Sequence, residues 1–273
     1  MRDGARAARD VEGPGANLAT LDPALADERV AQLVARLGEI HPGACCAGAA
    51  GAEVAEGRAR LDALLRRLLP DSRVCVVHDA RLVIAAAGLE SGIALIAGTG
   101  SVAYGRTSDG REAQRGGWGW MIGDEGSGVW ITREAARLLM ARSETGARLG
   151  ALGEAFLHAC GAGDAPSMVL RLHAMREPGQ WAALAPLVFA AAESDPDSEA
   201  IIRAAGAQLA RRALEVREAL DLDGPVVLAG GLLLNQPRLE AAVRERIRDL
   251  PVVRLEEAPV EGAVRLAAEL LRA

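Results

Sequence analysis

The 273-residue chain is half apolar and one quarter charged, with a formal net charge of −6. This is the profile of a soluble globular protein with room for one large domain or two modest ones. The acidic balance argues against nucleic acid or an anionic membrane as the main partner. No apolar run reaches the roughly 18 residues of a membrane span, and no signal peptide is visible, so a cytoplasmic location is expected.

Every basic residue is Arg, which excludes a catalytic lysine drawn from this sequence. The polar start, through Gly13-Pro14-Gly15, reads as a hairpin arm ending in a turn. Val30, Leu33, Val34 and Leu37 then recur at helical spacing, predicting an amphipathic helix from about Ala24 to Ile40. A small apolar run, Ala44 to Ala50, reads as a buried strand. A helix carrying Leu61, Leu64, Leu65 and Leu68 follows and is stopped by Pro70. "RVCVVHD" (Arg73 to Asp79) is a second buried strand. This alternation predicts an α/β domain with a largely parallel sheet.

A second series opens with "GIALIAGTGS" (Gly92 to Ser101), a strand running into a glycine-rich turn, and a hairpin turning at Asp109-Gly110 follows. From Glu125 to about Leu222 the pattern is mainly helical, with one apolar stripe through Ile202, Ala205, Leu209, Ala213, Val216 and Leu220. "PVVLAGG" (Pro225 to Gly231) is a further buried strand, succeeded by a helix from about Gln236 to Leu250. A short strand, "PVVRL", and a helix from Gly262 to Arg272 close the chain. The two α/β halves are expected to join near Leu89 to Gly92. Cys45, Cys46, Cys75 and Cys160 show no CxxC spacing, so small buried residues are expected and not a metal or disulfide framework.

Few residues carry chemistry. Glycines let backbone amides crowd an anion, and the hydroxyls of Thr99 and Ser101 add donors, so Gly98-Thr99-Gly100-Ser101 suits a phosphate as well as a tight turn. Gly230-Gly231 after "VVLA" repeats the choice between phosphate contact and close packing. Two such turns are what a nucleotide lying across strand ends requires. Asp79 ends a strand, where a carboxylate can take a proton from a hydroxyl; the same position suits a helix N-cap. His78 alternates to the other face and reads as structural. His41, His158 and His173 are isolated.

The chain holds only four Trp, two Phe and one Tyr, yet three of the tryptophans fall in "RGGWGWMIGDEGSGVW" (Arg115 to Trp130). Indole faces beside carboxylates and bare backbone are the materials of a sugar site. Capping by Asp124 or Glu125 alone would not call for the neighbouring glycines.

Together, a strand ending in Asp, "GTGS", "GGWG…GDEGS" and a strand ending in "AGG" resemble the N-acetylglucosamine kinases and the related BadF/BadG/BcrA/BcrD ATPases, in the actin–hexokinase superfamily. Pro259 to Ala263 also fits. The resemblance implies two actin/ribonuclease-H-like α/β domains with a central cleft. The first covers residues 1–90 and is joined by a C-terminal helix, 262–273; the second covers 91–261 with a helical insertion. It further implies phosphorylation of an amino-sugar 6-hydroxyl by ATP with Mg2+, and a homodimer as the assembly.

By the same resemblance Asp79 is the base, and Asn17, Gly117, Trp118 and Asp124 are sugar contacts. Gly98, Thr99, Gly100 and Ser101 form the second phosphate loop, and Gly230 and Gly231 lie near adenosine. Trp120 and Trp130 are expected to anchor the segment in the core. The family opens with a hairpin bearing an Asp-Gly-Gly-Gly-Thr-like phosphate loop. This sequence starts at Met1-Arg2-Asp3-Gly4, at the expected turn of that hairpin, so a truncated first domain is anticipated. Two other readings follow: a sugar-binding homologue without effective ATP use, and an iron–sulfur-dependent ATPase activator, which the cysteine spacing does not support.

Overall fold

The computed structural model describes residues 10–19, 21–52 and 54–272; the hairpin turn expected at Met1 to Gly4 lies outside them. In chain order the first elements are α1 (Pro23–Arg36), β1 (Ala44–Ala49), α2 (Ala55–Leu68), β2 (Arg73–His78) and α3 (Asp79–Ala86). Next come β3 (Gly92–Ala97), β4 (Ser101–Arg106) and β5 (Glu112–Gly116). A helical stretch follows: α4 (Gly128–Glu144), α5 (Gly150–Cys160), α6 (Ala165–Ala174), α7 (Pro178–Ala182), α8 (Ala185–Ala191) and α9 (Pro196–Leu220). The chain ends with β6 (Val226–Ala229), α10 (Gly231–Asn235), α11 (Pro237–Arg244), β7 (Val252–Arg254) and α12 (Pro259–Leu270). Two compact units result, one running up to Gly88 and resuming at Glu257, the other spanning Leu89–Glu256.

In the first unit β1 and β2 pair in parallel, from Ala44 opposite Arg73 to Ala49 opposite His78. Leu61 and Leu65 of α2 bury against Val74 and Val76 of β2, which is what the leucine spacing predicts. Asp22 caps α1 by accepting from the Ala24 and Leu25 amides, and Pro23 starts the helix with φ already set. α1 stops at Arg36 and not near Ile40, because Gly38 turns left-handed at φ 78°. Residues 10–17 are irregular, so the arm expected there is not a strand among the described residues.

α12 returns to pack on α3. At Gly262 an added Cβ would stand 2.0 Å from the Leu82 carbonyl oxygen, so only glycine allows this backbone approach. Arg265 of α12 then donates to the carbonyls of Ala85 and Ala86, capping α3. The cysteines are all half-buried. Cys46 and Cys75 stand opposite each other in the strand register. Their thiols hydrogen-bond, and this contact pushes Cys46 up and draws Cys75 down.

The second unit holds a five-stranded sheet of order β5-β4-β3-β6-β7. β3, β6 and β7 run parallel, whereas β3, β4 and β5 are antiparallel neighbours, so this sheet is mixed. α9 lies over it and buries Ile202, Ala205, Leu209, Ala213, Val216 and Leu220, the stripe predicted from periodicity. Asp195 and Pro196 begin that helix, and Asp221, left-handed at φ 50°, ends it. The helix expected from Gln236 to Leu250 is shorter: α11 ends at Arg244, and Ile247 and Leu250 fill the core from the following turn.

Candidate functional site

In the first unit the candidate residues gather at the carboxyl ends of β1 and β2. His78 is the last residue of β2, and the chain turns into α3 at Asp79. The cap is therefore His78, whose Nδ1 accepts from the Ala80 amide at 3.0 Å. Asp79 is the first helical residue; its Oδ1 also accepts from the Ala80 amide, at 2.7 Å, and its side chain is 44% exposed. A carboxylate at a helix start is electrostatically favoured there.

His78 keeps a structural role as the cap of α3, but it does not point away from Asp79 as strand alternation predicts. It is buried, with Nδ1 only 2.9 Å from Asp79 Oδ1. Burial pushes the Asp79 carboxyl up, but the His78 contact and nearby amides outweigh it and leave the group below its usual range. Only a protonated Nδ1 can donate to Asp79, while an unprotonated one accepts from Ala80, so the tautomer selects the contact. Asn17 belongs to the segment that docks beside β1: the Leu18 amide donates to the Ala50 carbonyl at 2.8 Å, and Asn17 Oδ1 accepts from the Ala19 amide.

In the second unit Gly98, Thr99 and Gly100 form the turn between β3 and β4, with Ala97 opposite Ser101. The neighbouring parallel strand β6 is followed by Gly230, left-handed at φ 91°, where a Cβ would strike the Ala97 carbonyl oxygen at 2.4 Å. The two glycine turns thus lie at adjacent strand ends. At Gly98 an added Cβ would meet only the Gly231 nitrogen, at an ordinary contact distance of 3.9 Å, and Thr99 at the tip of the turn is exposed. Bare backbone at such turns can crowd a phosphate-bearing chain.

The tryptophan-rich segment folds onto the same turn. The Gly117 amide donates to the Ser101 carbonyl, and Ser101 Oγ donates to the Glu125 carbonyl. The Ser101 and Gly119 amides donate to the Asp124 carboxylate. A Cβ on Gly100 would sit 2.6 Å from Asp124 Oδ2. Asp124 is 8% exposed and left-handed at φ 59°, a conformation that Asp tolerates better than most residues. Burial, aided by the Glu125 charge and opposed by those amides and Arg133, holds its carboxyl above the usual range. Trp118 stands 70% exposed, with Met121 and Ile122 equally open. Both Trp120 and Trp130 are half-buried, and Trp130 packs on the core as expected. Glu125 pairs with Arg212 of α9 at 3.3 Å.

A profile of the BadF/BadG/BcrA/BcrD ATPase family matches residues 27–267. The chain belongs to that family. Among relatives of this BadF/BadG/BcrA/BcrD family member, an N-acetylmuramic acid/N-acetylglucosamine kinase from Clostridium acetobutylicum is 44% identical over 96 residues, 34% of this chain and 31% of the relative. An N-acetyl-D-glucosamine kinase from Dictyostelium discoideum is 29% identical over 112 residues, 40% of this chain and 35% of the relative. Each match therefore spans about a third of the relative's length.

Among solved structures, a candidate N-acetylglucosamine kinase from Chromobacterium violaceum superposes with a TM-score of 0.72 at 28% identity, covering 93% of this chain and 88% of that one. A second, from Porphyromonas gingivalis, gives 0.69 at 21% identity, a likeness of fold. The mixed α/β fold is thus that of these proteins. Among the described residues no helix is long and apolar enough to cross a membrane.

Sequence reading missed three partners in this family member: His78 for Asp79, Arg212 for Glu125, and Arg133, which donates to the Trp120 carbonyl at 2.9 Å. His78 was within reach, since it adjoins Asp79. Nothing in the local sequence signals either arginine among so many.

Proposed function

We propose that the protein is an ATP-dependent kinase of amino sugars of the N-acetylglucosamine or glucosamine type, transferring phosphate to the 6-hydroxyl. The observation that carries this reading is the arrangement in the second unit. Two glycine turns lie at neighbouring strand ends, with Thr99 exposed at the tip of one, and the buried Asp124 carboxylate and exposed Trp118 are built onto that turn. Gly98, Thr99, Gly100 and Ser101 are assigned to nucleotide phosphates, and Gly230 and Gly231 to the adenosine side. Gly117, Trp118 and Asp124, with Asn17 of the first unit, are assigned to the sugar. An indole face takes the apolar side of a pyranose ring, and a carboxylate accepts from its hydroxyls.

Asp79 is assigned as the base that receives the hydroxyl proton. Its low carboxyl range keeps it ionised at neutral pH. Phosphoryl transfer asks mainly for alignment and charge stabilisation, so a modest base in the right place is sufficient. No cluster of three potential metal ligands occurs among the described residues. Magnesium suits this setting as an ion held largely by nucleotide phosphates, where one or two carboxylates are enough. When bound it would offset charge on the phosphate oxygens. We further assign the two compact units, whose junctions at Gly88 and Glu257 lie close to the expected 90 and 262, as the two domains, and a cytoplasmic homodimer as the working form.

The test is ADP release by the longest protein of this reading frame, with ATP, Mg2+ and a panel of amino sugars, beside direct sugar binding. Turnover with an N-acetylated or free amino sugar is expected, and the product should carry phosphate on carbon 6. Sugar binding without ADP release would make the protein a sugar-binding homologue instead.

A further inference from the structure

The assigned sugar contacts Trp118 and Asp124 flank a short turn. Within it the amides of Ile122 and Gly123 both donate to the Gly119 carbonyl, the second at 2.8 Å. Trp118 is 70% exposed, so burial of its ring does not fix its orientation; the backbone of the turn must. One end of the turn is held by Asp124, whose carboxylate accepts from the Gly119 amide. The next carbonyl, that of Trp120, accepts from Arg133 Nη1 of α4 at 2.9 Å. Arg133 Nε is buried without a hydrogen-bond partner, so the guanidinium is committed to this place at some cost in solvation.

We propose that Arg133 is a positioning residue of the sugar site: by binding the Trp120 carbonyl it fixes the 119–123 turn, and with it the Trp118 indole and the Asp124 carboxylate. This rests on the amino-sugar reading above. Arg133 is bonded to the backbone of the turn and not to either assigned sugar contact, and it acts through both. The groups around Asp124 come from several elements. The Ser101 amide belongs to β4 and the Gly119 amide to the turn itself. Glu125 adjoins it with Arg212 of α9 paired behind, and Arg133 faces it from α4. Of these, Arg133 supplies positive charge directly, whereas Arg212 offsets that of Glu125.

Arg133→Met and Arg133→Lys, made in the full chain, separate orientation from charge. Two readouts are needed: N-acetylglucosamine affinity across pH, and the titration of the Asp124 carboxyl carbon by NMR without sugar. For Arg133→Met we expect affinity to fall about ten-fold or more, the scale of a lost charge-assisted hydrogen bond. Its Asp124 carboxyl should titrate at higher pH than in the parent, so that binding fails earlier on acidification. Arg133→Lys should restore the titration but only part of the affinity, since the ammonium keeps the charge without the planar fork.

An unchanged Asp124 titration together with unchanged affinity in Arg133→Met would overturn the proposal, as would full rescue of affinity by Lys. If the parent protein binds no amino sugar, the functional reading fails. The carboxyl titration in the sugar-free protein still decides whether Arg133 governs Asp124.

Discussion

Asp79 and Asp124 are the assigned carboxylates of the first and second units. Asp79 follows β2 directly and opens α3, Asp124 lies in the irregular segment between β5 and α4, and for each the largest influence on its carboxyl is withdrawal from water. Yet Asp79 is held low and Asp124 high. The difference lies in the partners that oppose burial. Asp79 has the imidazole of His78 at 2.9 Å and remains 44% exposed. Asp124, 8% exposed, receives two backbone amides and the more remote charge of Arg133, while Glu125 repels it. A carboxylate kept ionised suits proton acceptance from a hydroxyl. One kept at a cost in solvation is ready to exchange that cost for hydrogen bonds from a ligand.

The comparison can be broken most forcefully at Asp79. Asp79→Asn is expected to reduce turnover by about 10²–10⁴-fold, the usual worth of a general base, with sugar affinity little changed. Equal turnover in the mutant would leave Asp79 as a helix-start residue only. A second test removes the glycine geometry at the end of β6, the turn assigned to the adenosine side. Gly230→Ala places a methyl against the Ala97 carbonyl at φ 91°. It should cost about 2–5 kcal/mol, from a clash plus a strained backbone, read as a lower denaturant midpoint.

The smallest effect is the most discriminating. Because the folded Asp79 carboxyl is lowered, it contributes stability above the unfolded carboxylate range and loses it as pH falls. Because that of Asp124 is raised, its charge opposes folding at neutral pH, and the penalty disappears on acidification. Asp124→Asn should therefore raise Tm slightly at pH 7, and that gain should vanish at low pH. Asp79→Asn should lower Tm slightly at pH 7. Equal shifts in both variants would refute the opposed electrostatics.

His78 shows where reading along the chain stops working. Period-two alternation sets it on the face opposite Asp79, but the strand ends at His78 and α3 begins at the next residue. The two side chains then meet, because helical backbone does not alternate. Helix ends depart from the periodic pattern for a similar reason. α11 gives way at Arg244 although Ile247 and Leu250 keep an apolar pattern, since a turn can bury those side chains equally well. In contrast, the stripe of α9, the strand ending at the "GTGS" turn and the glycine pair after "VVLA" are all legible. Each depends on periodicity or backbone freedom within a few residues.

Local chemistry thus decides where strands end, where glycine must bend the chain and which segment is rich enough in indole and carboxylate to mark a ligand site. Only the folded chain decides what those carboxylates feel. Arg133 reaches Trp120 across 13 residues, Arg212 reaches Glu125 from α9, and Gly230 meets Ala97 through strand pairing. Electrostatic and steric partners are chosen by distance in space, and sequence separation carries no record of it.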